Sequence, residues 1–344
     1  MCEWCGHDHE DEFPADVPLV VTTRGGRPEN RHRGRISVVR TDSGEELEAF
    51  GDTKARAFIR STGKPMQAIE PLLGGVAEAF GWEDRHLAML AASHRGHPAQ
   101  MAALDDMLAK SGVPEEAYVF GAGAPINVRS RDEWARGGGA PRKAFHTCAG
   151  KHLGMLAWCK LQGWPLAGYE RPEHPAQQRI LRRVRDWLGA GEAETATGKD
   201  GCGLPVVAVP LWRVALGYGR LACPDAAPDR EAAEAVAKVT AAMNRCPELV
   251  EGSGRLASLL LADPNVVAKS GAQGLFAFGL RKERIGVAIH LSDGSEASWG
   301  PIVISLLERL GGVSEATMET LRERFPRSFE NDAGAVAGTR DVVF

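Results

Sequence analysis

A serine and a lysine stand three positions apart in the segment RSTGKPM, at the point where a helical pattern begins. Residues i and i+3 lie on one face of a helical turn, so the side chains of Ser61 and Lys64 can approach each other. A serine hydroxyl is a weak nucleophile until a base removes its proton. A lysine serves as that base when burial or a neighbouring cation, such as Arg60 here, lowers its pKa. The pair therefore predicts nucleophilic catalysis.

Two further segments carry the same residue types. The string KSG at residues 269–271 comes just before the strand-like run GLFAFGL and resembles the K-[ST]-G element of serine β-lactamases and penicillin-binding proteins. Ser93, in AASHRGHP, lies between the two motifs in chain order, where those enzymes carry S-x-N. His94 and Arg95 follow it, so this middle motif does not fit. The order and the strand context of the other two do fit, and they favour a serine hydrolase.

A second group of candidate residues consists of cysteines and histidines. Cys148 lies at the entry to a predicted helix, and Cys202 lies in the glycine-rich loop GKDGCGLP. Thiolate and imidazole groups suit zinc. The spacing alone nominates these two cysteines together with either His146 or His152. Buried or incidental cysteines remain the alternative interpretation.

The N-terminal residues offer a third candidate, in which a C-x-x-C pair is followed closely by two histidines. The spacing is tighter than in the usual zinc fingers, so a disordered tail or an adventitious metal binder is the favoured interpretation. This tail is placed outside the active site. Its candidate ligands are Cys2, Cys5, His7 and His9.

Composition narrows the class of partner. The chain has 344 residues, 44% of them hydrophobic and 25% charged, and a net charge of −4, which is too small to predict a nucleic acid or membrane surface as partner. We find no secretory signal and no apolar run long enough to cross a bilayer. Seven scattered cysteines do not form a typical disulfide framework. We therefore expect a cytoplasmic protein with a small-molecule ligand.

The pattern of elements predicts an α/β (α+β) fold. Strand-like segments occur between Asp16 and Phe50 and return in GLFAFGL and IGVAIHL, whereas helical spacing dominates from about residue 64 to about residue 188. One antiparallel sheet built from both ends of the chain, with helices packed on it, accounts for this order. We expect residues 16–344 to form a single catalytic domain, with residues 64–188 as a candidate helical subdomain and residues 1–15 as a separate tail.

Five motifs taken together resemble a known family. They are RSTGKPMQ, SHRGHP, HTCAGKH, DGCGLP and NVVAKSGAQG. In this order they are similar to the L-asparaginase II family, the Rhizobium-type or thermolabile class 3 asparaginases, from about Leu19 to the C-terminus. The resemblance implies a fold similar to that of serine β-lactamases and glutaminases, and assembly as a homodimer.

The resemblance also implies roles for individual residues. It implies two serine–lysine pairs, Ser61 with Lys64 and Ser93 with Lys269, with Ser61 as the nucleophile. It further implies a zinc ion that supports substrate binding and site geometry. The implied ligand set substitutes a lysine for the histidine that spacing suggested, and consists of Cys148, Lys151 and Cys202.

The function that this resemblance implies is hydrolysis of L-asparagine to L-aspartate and ammonia through an acyl-enzyme. Arg60 and Asp200 are candidate anchors for the charged groups of the substrate. Two alternatives stay open. One is a glutaminase, or another amide or β-lactam hydrolase, on the same scaffold, because one methylene changes binding by only about 1 to 3 kcal/mol. The other is a zinc-binding protein without enzymatic activity.

Overall fold

A computed structural model describes residues 14–227 and 229–344. Within these ranges the larger of two sheets has eight strands, which are Val17–Arg24 (β1), Arg27–Arg40 (β2), Glu46–Phe50 (β3), Val266–Ser270 (β7), Leu275–Leu280 (β8), Ile285–Leu291 (β9), Ser328–Glu330 (β10) and Val336–Val342 (β11). They all pair antiparallel in the order β10-β11-β1-β2-β9-β8-β7, with β3 on β2. Both ends of the chain therefore contribute to one sheet, as predicted.

A small sheet of three strands joins two distant parts of the chain. Its strands are Arg56–Phe58 (β4), Ala196–Lys199 (β5) and Pro205–Pro210 (β6), and β6 lies in the middle. Strand β4 leads into the segment that begins at Arg60, and β5 leads into the loop that carries Cys202. The small sheet thus brings the serine–lysine motif next to a cysteine loop about 140 residues later.

The helices occupy the middle of the chain and the segment before the last two strands. Within the described residues they are Lys64–Gln67 (α1), Ile69–Leu73 (α2), Val76–Ala79 (α3), Asp84–Leu90 (α4), Pro98–Ser111 (α5), Val128–Arg136 (α6), Ala149–Leu161 (α7), Pro175–Leu188 (α8), Leu211–Ala222 (α9), Arg230–Arg245 (α10), Pro247–Glu251 (α11), Leu256–Leu261 (α12), Trp299–Leu310 (α13) and Glu315–Arg324 (α14). The predicted α+β class, with an antiparallel sheet and a helical middle, is confirmed. None of the described helices is long and apolar enough to cross a membrane.

Two hydrophobic clusters cover the two faces of the large sheet. One includes Val267 and lies against the helical middle, and the other includes Ala268 and lies against α12, α13 and α14. Side chains alternate between the faces of a strand. Lys269 therefore lies on the same face of β7 as Val267 and points toward the helical middle.

Strand boundaries at the N-terminal end differ from the sequence prediction. The composition of the polar run RGGRPENRHRG predicts a turn over the whole run. In the structure only Gly25 and Gly26 form the turn, and β2 begins at Arg27. Both glycines have positive φ values, 56° and 75°, which suits the tight two-residue connection of a β-hairpin. Pairing with β1 extends the polar run as an exposed strand.

The predicted domain start at residue 16 stays a prediction, and the cysteine–histidine tail, Cys2 to His9, lies outside the described residues.

Candidate active site

A strained turn presents Ser61. After β4 the chain forms a 3₁₀ turn, Arg60–Gly63, which runs directly into α1. Arg60 has a φ of 45°, a left-handed conformation that costs a non-glycine residue about 1 to 3 kcal/mol. The buried Tyr218 hydroxyl holds the turn by donating a hydrogen bond of 2.8 Å to the carbonyl oxygen of Thr62. The surrounding structure therefore imposes this turn and leaves Ser61 partly exposed.

Lys64 is fully buried, and its amine faces a hydroxyl. Its Nζ donates to the Ser93 Oγ at 2.9 Å, to the carbonyl oxygen of Ala92 at 2.6 Å and to that of Thr147 at 3.3 Å. Burial lowers the pKa of Lys64 from 10.5 to about 8, helped by the nearby ammonium groups of Lys269 and Lys151 and opposed by Cys148. A lysine of this kind can act as a base near neutral pH.

The partner of Lys64 differs from the one expected. Among the described residues its hydrogen bonds go to Ser93 and to two carbonyl oxygens, and none goes to Ser61. The reason is that two carbonyl groups, the buried one of Ala92 and the partly buried one of Thr147, draw the amine inward. Lys64 and Ser93 are thus brought into contact, and Ser61 lies one turn before Lys64 on the exposed side of the motif.

Lys269 also has a different partner from the implied Ser93. Its buried Nζ donates to the carboxylate of Glu251 and to the carbonyl oxygen of Ser270 at 2.9 Å. The same Glu251 oxygen accepts from the backbone N–H of Ser270 at 2.9 Å and from its hydroxyl at 2.6 Å. Burial raises the pKa of Glu251, but the charge and hydrogen bond of Lys269 outweigh burial and leave it lowered. A buried ion pair therefore anchors the end of β7.

Ser93 remains connected to this ion pair through the backbone. Its N–H donates to the carbonyl oxygen of Val250 at 2.7 Å, and Val250 precedes Glu251. Sequence reasoning missed Glu251, because a glutamate in PELVEG looks like any exposed helical acid. Its burial follows from the tertiary fold, in which α11 ends against β7.

We expect the substitution Glu251→Gln to destabilise the protein. Removing one partner of a buried ion pair leaves the Lys269 charge uncompensated, which costs about 3 to 5 kcal/mol. Urea unfolding would measure the loss in free energy of unfolding. Glu248→Gln, on the exposed side of the same helix, is the matched control and should change stability by less than about 0.5 kcal/mol. Equal stability of the two variants would contradict the assignment.

The predicted zinc ligands converge. Cys148, Lys151 and Cys202 are all buried, and a hydrogen bond from Cys202 is the largest influence that lowers the pKa of Cys148 well below its usual value. Burial lowers the pKa of Lys151, but the charges of Cys148 and Cys202 outweigh burial, so the pKa of Lys151 is raised. Two sulfur donors and one nitrogen donor at one point fit the chemistry of zinc once Lys151 has given up its proton, because only the free amine has a lone pair for the metal.

This donor set has neighbours that matter for any metal. Asp200 Oδ2 lies 3.8 Å from Lys151 Nζ and 3.7 Å from Cys202 Sγ. In residues 14–227 and 229–344, no three His, Cys, Asp or Glu side chains are arranged to hold a metal. The predicted zinc ligands are not such a group, because the third of them is a lysine. Spacing left two histidines as alternatives for the third ligand. His146 Nδ1 accepts a hydrogen bond of 3.1 Å from the Cys148 N–H, and His152 Nδ1 lies 2.6 Å from the Tyr169 hydroxyl.

The candidate substrate anchors contact each other. Arg60 Nε donates to Asp200 Oδ1 at 2.8 Å, so the two charges are already paired. This pair connects the Ser61 turn with the loop of Cys202. The charges of Lys269, Lys151, Cys148 and Cys202 all act on the pKa of Lys64, so the serine–lysine groups and the cysteine group share one neighbourhood.

The sequence matches a family model over almost its whole length. The model is that of L-asparaginase II, and the match covers residues 20–342. The chain belongs to the L-asparaginase II family. It is therefore a hydrolase that acts on amide C–N bonds, with a small molecule as substrate.

Similarities to other proteins are remote. A β-lactamase from Mycobacterium bovis is 13% identical, with 80% of this chain and 94% of that chain covered and a TM-score of 0.41. A putative β-lactamase from Bacteroides dorei is also 13% identical, with 84% and 92% covered and a TM-score of 0.41. The protein Mglu is 15% identical, with 85% of this chain but only 65% of Mglu covered and a TM-score of 0.33. No curated protein matches the chain. The family assignment therefore depends on the match across residues 20–342.

Proposed function

We propose that this protein hydrolyses the side-chain amide of L-asparagine to L-aspartate and ammonia through an acyl-enzyme on Ser61. The supporting observation is the Lys64 amine, which is fully buried, has a pKa lowered to about 8, and lies one turn after Ser61 in hydrogen-bond contact with a second hydroxyl, that of Ser93. An amine in this state can take a proton from an attacking serine.

The first half of the reaction forms the acyl-enzyme. Lys64 Nζ accepts the Ser61 proton while Ser61 Oγ attacks the amide carbon of the substrate. Lys64 then returns a proton, through the Ser93 hydroxyl that it contacts, to the departing nitrogen. The C–N bond breaks and ammonia leaves. Water next attacks the acyl carbon, its proton passes to Lys64, and aspartate is released as Ser61 regains its hydrogen.

The developing oxyanion needs hydrogen-bond donors. The N–H groups of Ser270 and Gly271, after Lys269, already donate to Glu251 and to the Leu275 carbonyl oxygen. The strand after Lys269 is therefore a poor source. In the Arg60–Gly63 turn the Thr62 N–H already donates to the carbonyl oxygen of Ile59 at 3.0 Å, so the Ser61 N–H is the better candidate. Each such donor contributes about 3 to 4 kcal/mol to acyl transfer.

The proposal includes zinc held by Cys148, Lys151 and Cys202. When bound, zinc would supply a fixed positive charge that orders this loop and favours substrate binding. The buried thiols and the amine are the donors for it, and Arg60 with Asp200 connects them to the Ser61 turn. The homodimer and the cytoplasmic location stay predictions.

Ammonia release from L-asparagine and from L-glutamine, ring opening of the chromogenic β-lactam nitrocefin, and zinc content measured on the same samples test the proposal. We expect asparagine to be the best substrate. We expect Cys202→Ser to bind zinc about tenfold or more weakly, because one of the two sulfur donors is gone. The KM for asparagine should rise as a result. Cys223→Ser, which removes a buried cysteine elsewhere, is the control and should keep its zinc.

Two results would contradict the proposal in different ways. Faster release from glutamine, or turnover of the β-lactam alone, would favour the alternative hydrolase. Full zinc content in Cys202→Ser would contradict the assignment of Cys202 as a zinc ligand, but it would not contradict the proposed amide hydrolysis. The remaining alternative, a zinc-binding protein without activity, is disfavoured because the family is one of hydrolases.

A further inference from the structure

A cavity of about 290 Å³ opens where α11, α12, α13, α14 and β11 meet. Its volume is at the lower end of the range of small-molecule sites. None of the candidate catalytic, substrate-anchoring or zinc-binding residues lines it. Glu251 does line it and also pairs with Lys269, so the cavity adjoins the buried end of β7. It is therefore a candidate binding site separate from that of the proposed reaction.

The lining of this cavity carries more positive than negative charge. Its charged side chains are Arg255, Arg324, Arg340, Glu251 and Glu296. Glu251 is already neutralised by the ion pair with Lys269. Glu296 is exposed, and its contact with Arg255 is long, at 3.4 Å. Three guanidinium groups thus face one loosely held carboxylate, and the cavity keeps an excess of positive charge.

Arg255 has unused hydrogen-bonding capacity in this cavity. Its Nε is buried and, among the described residues, has no hydrogen-bond partner. A buried donor without an acceptor is costly, and a ligand or water often completes such a site. An anion that accepts from Arg255 Nε would satisfy it.

A second guanidinium group lies against the residue before Arg255. That residue is Gly254, and a Cβ atom added to it would be only 3.3 Å from Arg324 Nε. The side chain of Arg324 therefore lies over this glycine, and in the described part of the chain no carboxylate forms an ion pair with it. Like charges held near each other repel, and an anion between them removes that repulsion.

The third guanidinium group is held by an aromatic ring. Arg340 lies over the ring of Phe329, 4.9 Å from its centroid, a contact that uses the face of the guanidinium group and none of its N–H donors. Trp299 and Phe325 add an apolar wall. The indole N–H of Trp299 already donates to the Gly274 carbonyl oxygen at 2.9 Å, so this wall presents carbon atoms.

We propose that this cavity binds a small organic dianion, either a dicarboxylate or a phosphate monoester, between Arg255, Arg324 and Arg340. Guanidinium groups bind carboxylates and phosphates through paired hydrogen bonds, and three of them match more than one negative charge. Trp299 and Phe325 would cover the carbon atoms of the ligand. The inference goes beyond the proposed function and does not depend on it, because no residue of the proposed reaction lines the cavity.

Calorimetry with succinate and with inorganic phosphate, each titrated into the full-length protein at low salt, tests the proposal. We expect at least one of them to bind at one site per chain with a Kd of about 1 mM or lower. The melting temperature should rise by about 2 °C or more as that anion is added, because it binds the folded state. Tighter binding of succinate would identify a dicarboxylate site, and tighter binding of phosphate a site for phosphate esters.

Substitutions in the cavity should weaken this binding. We expect Arg324→Gln and Arg340→Gln each to raise the Kd about tenfold or more, because each removes one guanidinium group. Arg324 is exposed, so its variant should fold even if a substitution of Arg255 does not. Arg322→Gln is the matched control on the same helix. Arg322 pairs with Glu315, does not line the cavity, and its loss should leave the Kd unchanged.

Two results would overturn the inference. If neither anion binds, or if all these variants bind as tightly as the wild type, the cavity is not a dianion site and any heat reports adventitious binding. If Arg60→Ala loses the binding while Arg324→Gln and Arg340→Gln keep it, the anion occupies the candidate active site instead. Ammonia assays report on the proposed reaction separately, so its failure would leave this result unaffected.

Discussion

Ammonia release from asparagine should fall by about 10⁴-fold or more in Ser61→Ala, because the substitution removes the oxygen that forms the acyl bond in the proposed mechanism. The effect should appear in kcat, since Ser61 acts only after the substrate is bound. Steady-state ammonia assays, with zinc content and unfolding measured on the same sample, would show that the variant is otherwise intact.

Ser93→Ala is the informative comparison for the nucleophile. Ser93 contacts Lys64 at 2.9 Å, and its loss should slow proton transfer by about 10² to 10³-fold while the acyl group still forms on Ser61. Rapid quench followed by mass spectrometry of peptides would locate the acyl group. Its discovery on Ser93 in the wild type would overturn the assignment and make the serine in contact with the lysine the attacking group.

The second large effect concerns Lys64. The pKa of its amine is lowered to about 8, and only the free amine can accept a proton. Below about pH 8 the amine is protonated and kcat/KM should fall tenfold for each pH unit, whereas above this value the rate should level off. The acid limb of the wild-type profile is therefore expected near pH 8.

Lys64→Met should lower kcat/KM by about 10³-fold and abolish that limb. Lys64→Arg is the matched control, because it keeps a positive charge but cannot lose a proton near pH 8, and it should be as inactive as the methionine variant. Profiles recorded from pH 6 to 10 would check both. Persistence of the same limb in Lys64→Met would assign it to another group and exclude Lys64 as the base.

Elements with strong local patterns were predictable from the sequence. Two apolar runs separated by a charged loop predict the hairpin β8–β9, and regular apolar spacing that ends at a glycine predicts α5. The structure contains both elements. Of the small sheet, the sequence indicates only β6, because the mixed segment GLPVVAVPLWRVALGYGRLA is compatible with one strand. Strands β4 and β5 have only three and four residues, too few for alternation to be recognised.

The candidate site shows the same division. Motif spacing was sufficient to nominate Ser61, Lys64, Cys148 and Cys202, because each lies in a short string whose residue types suggest a reaction. Glu251 escaped notice, because a buried acid and an exposed acid look alike in sequence.

By itself, the sequence determined the kinds of chemistry available and the order of elements that carry them, since residue type and local periodicity are written along the chain. Only the tertiary structure decided which groups meet. Lys64 faces Ser93 because carbonyl groups 28 and 83 residues away attract its amine, and Lys269 faces Glu251 because α11 ends against β7. Burial makes each unpaired charge costly, so the long-range partners of a side chain, and not its neighbours in the sequence, determine its direction and its pKa.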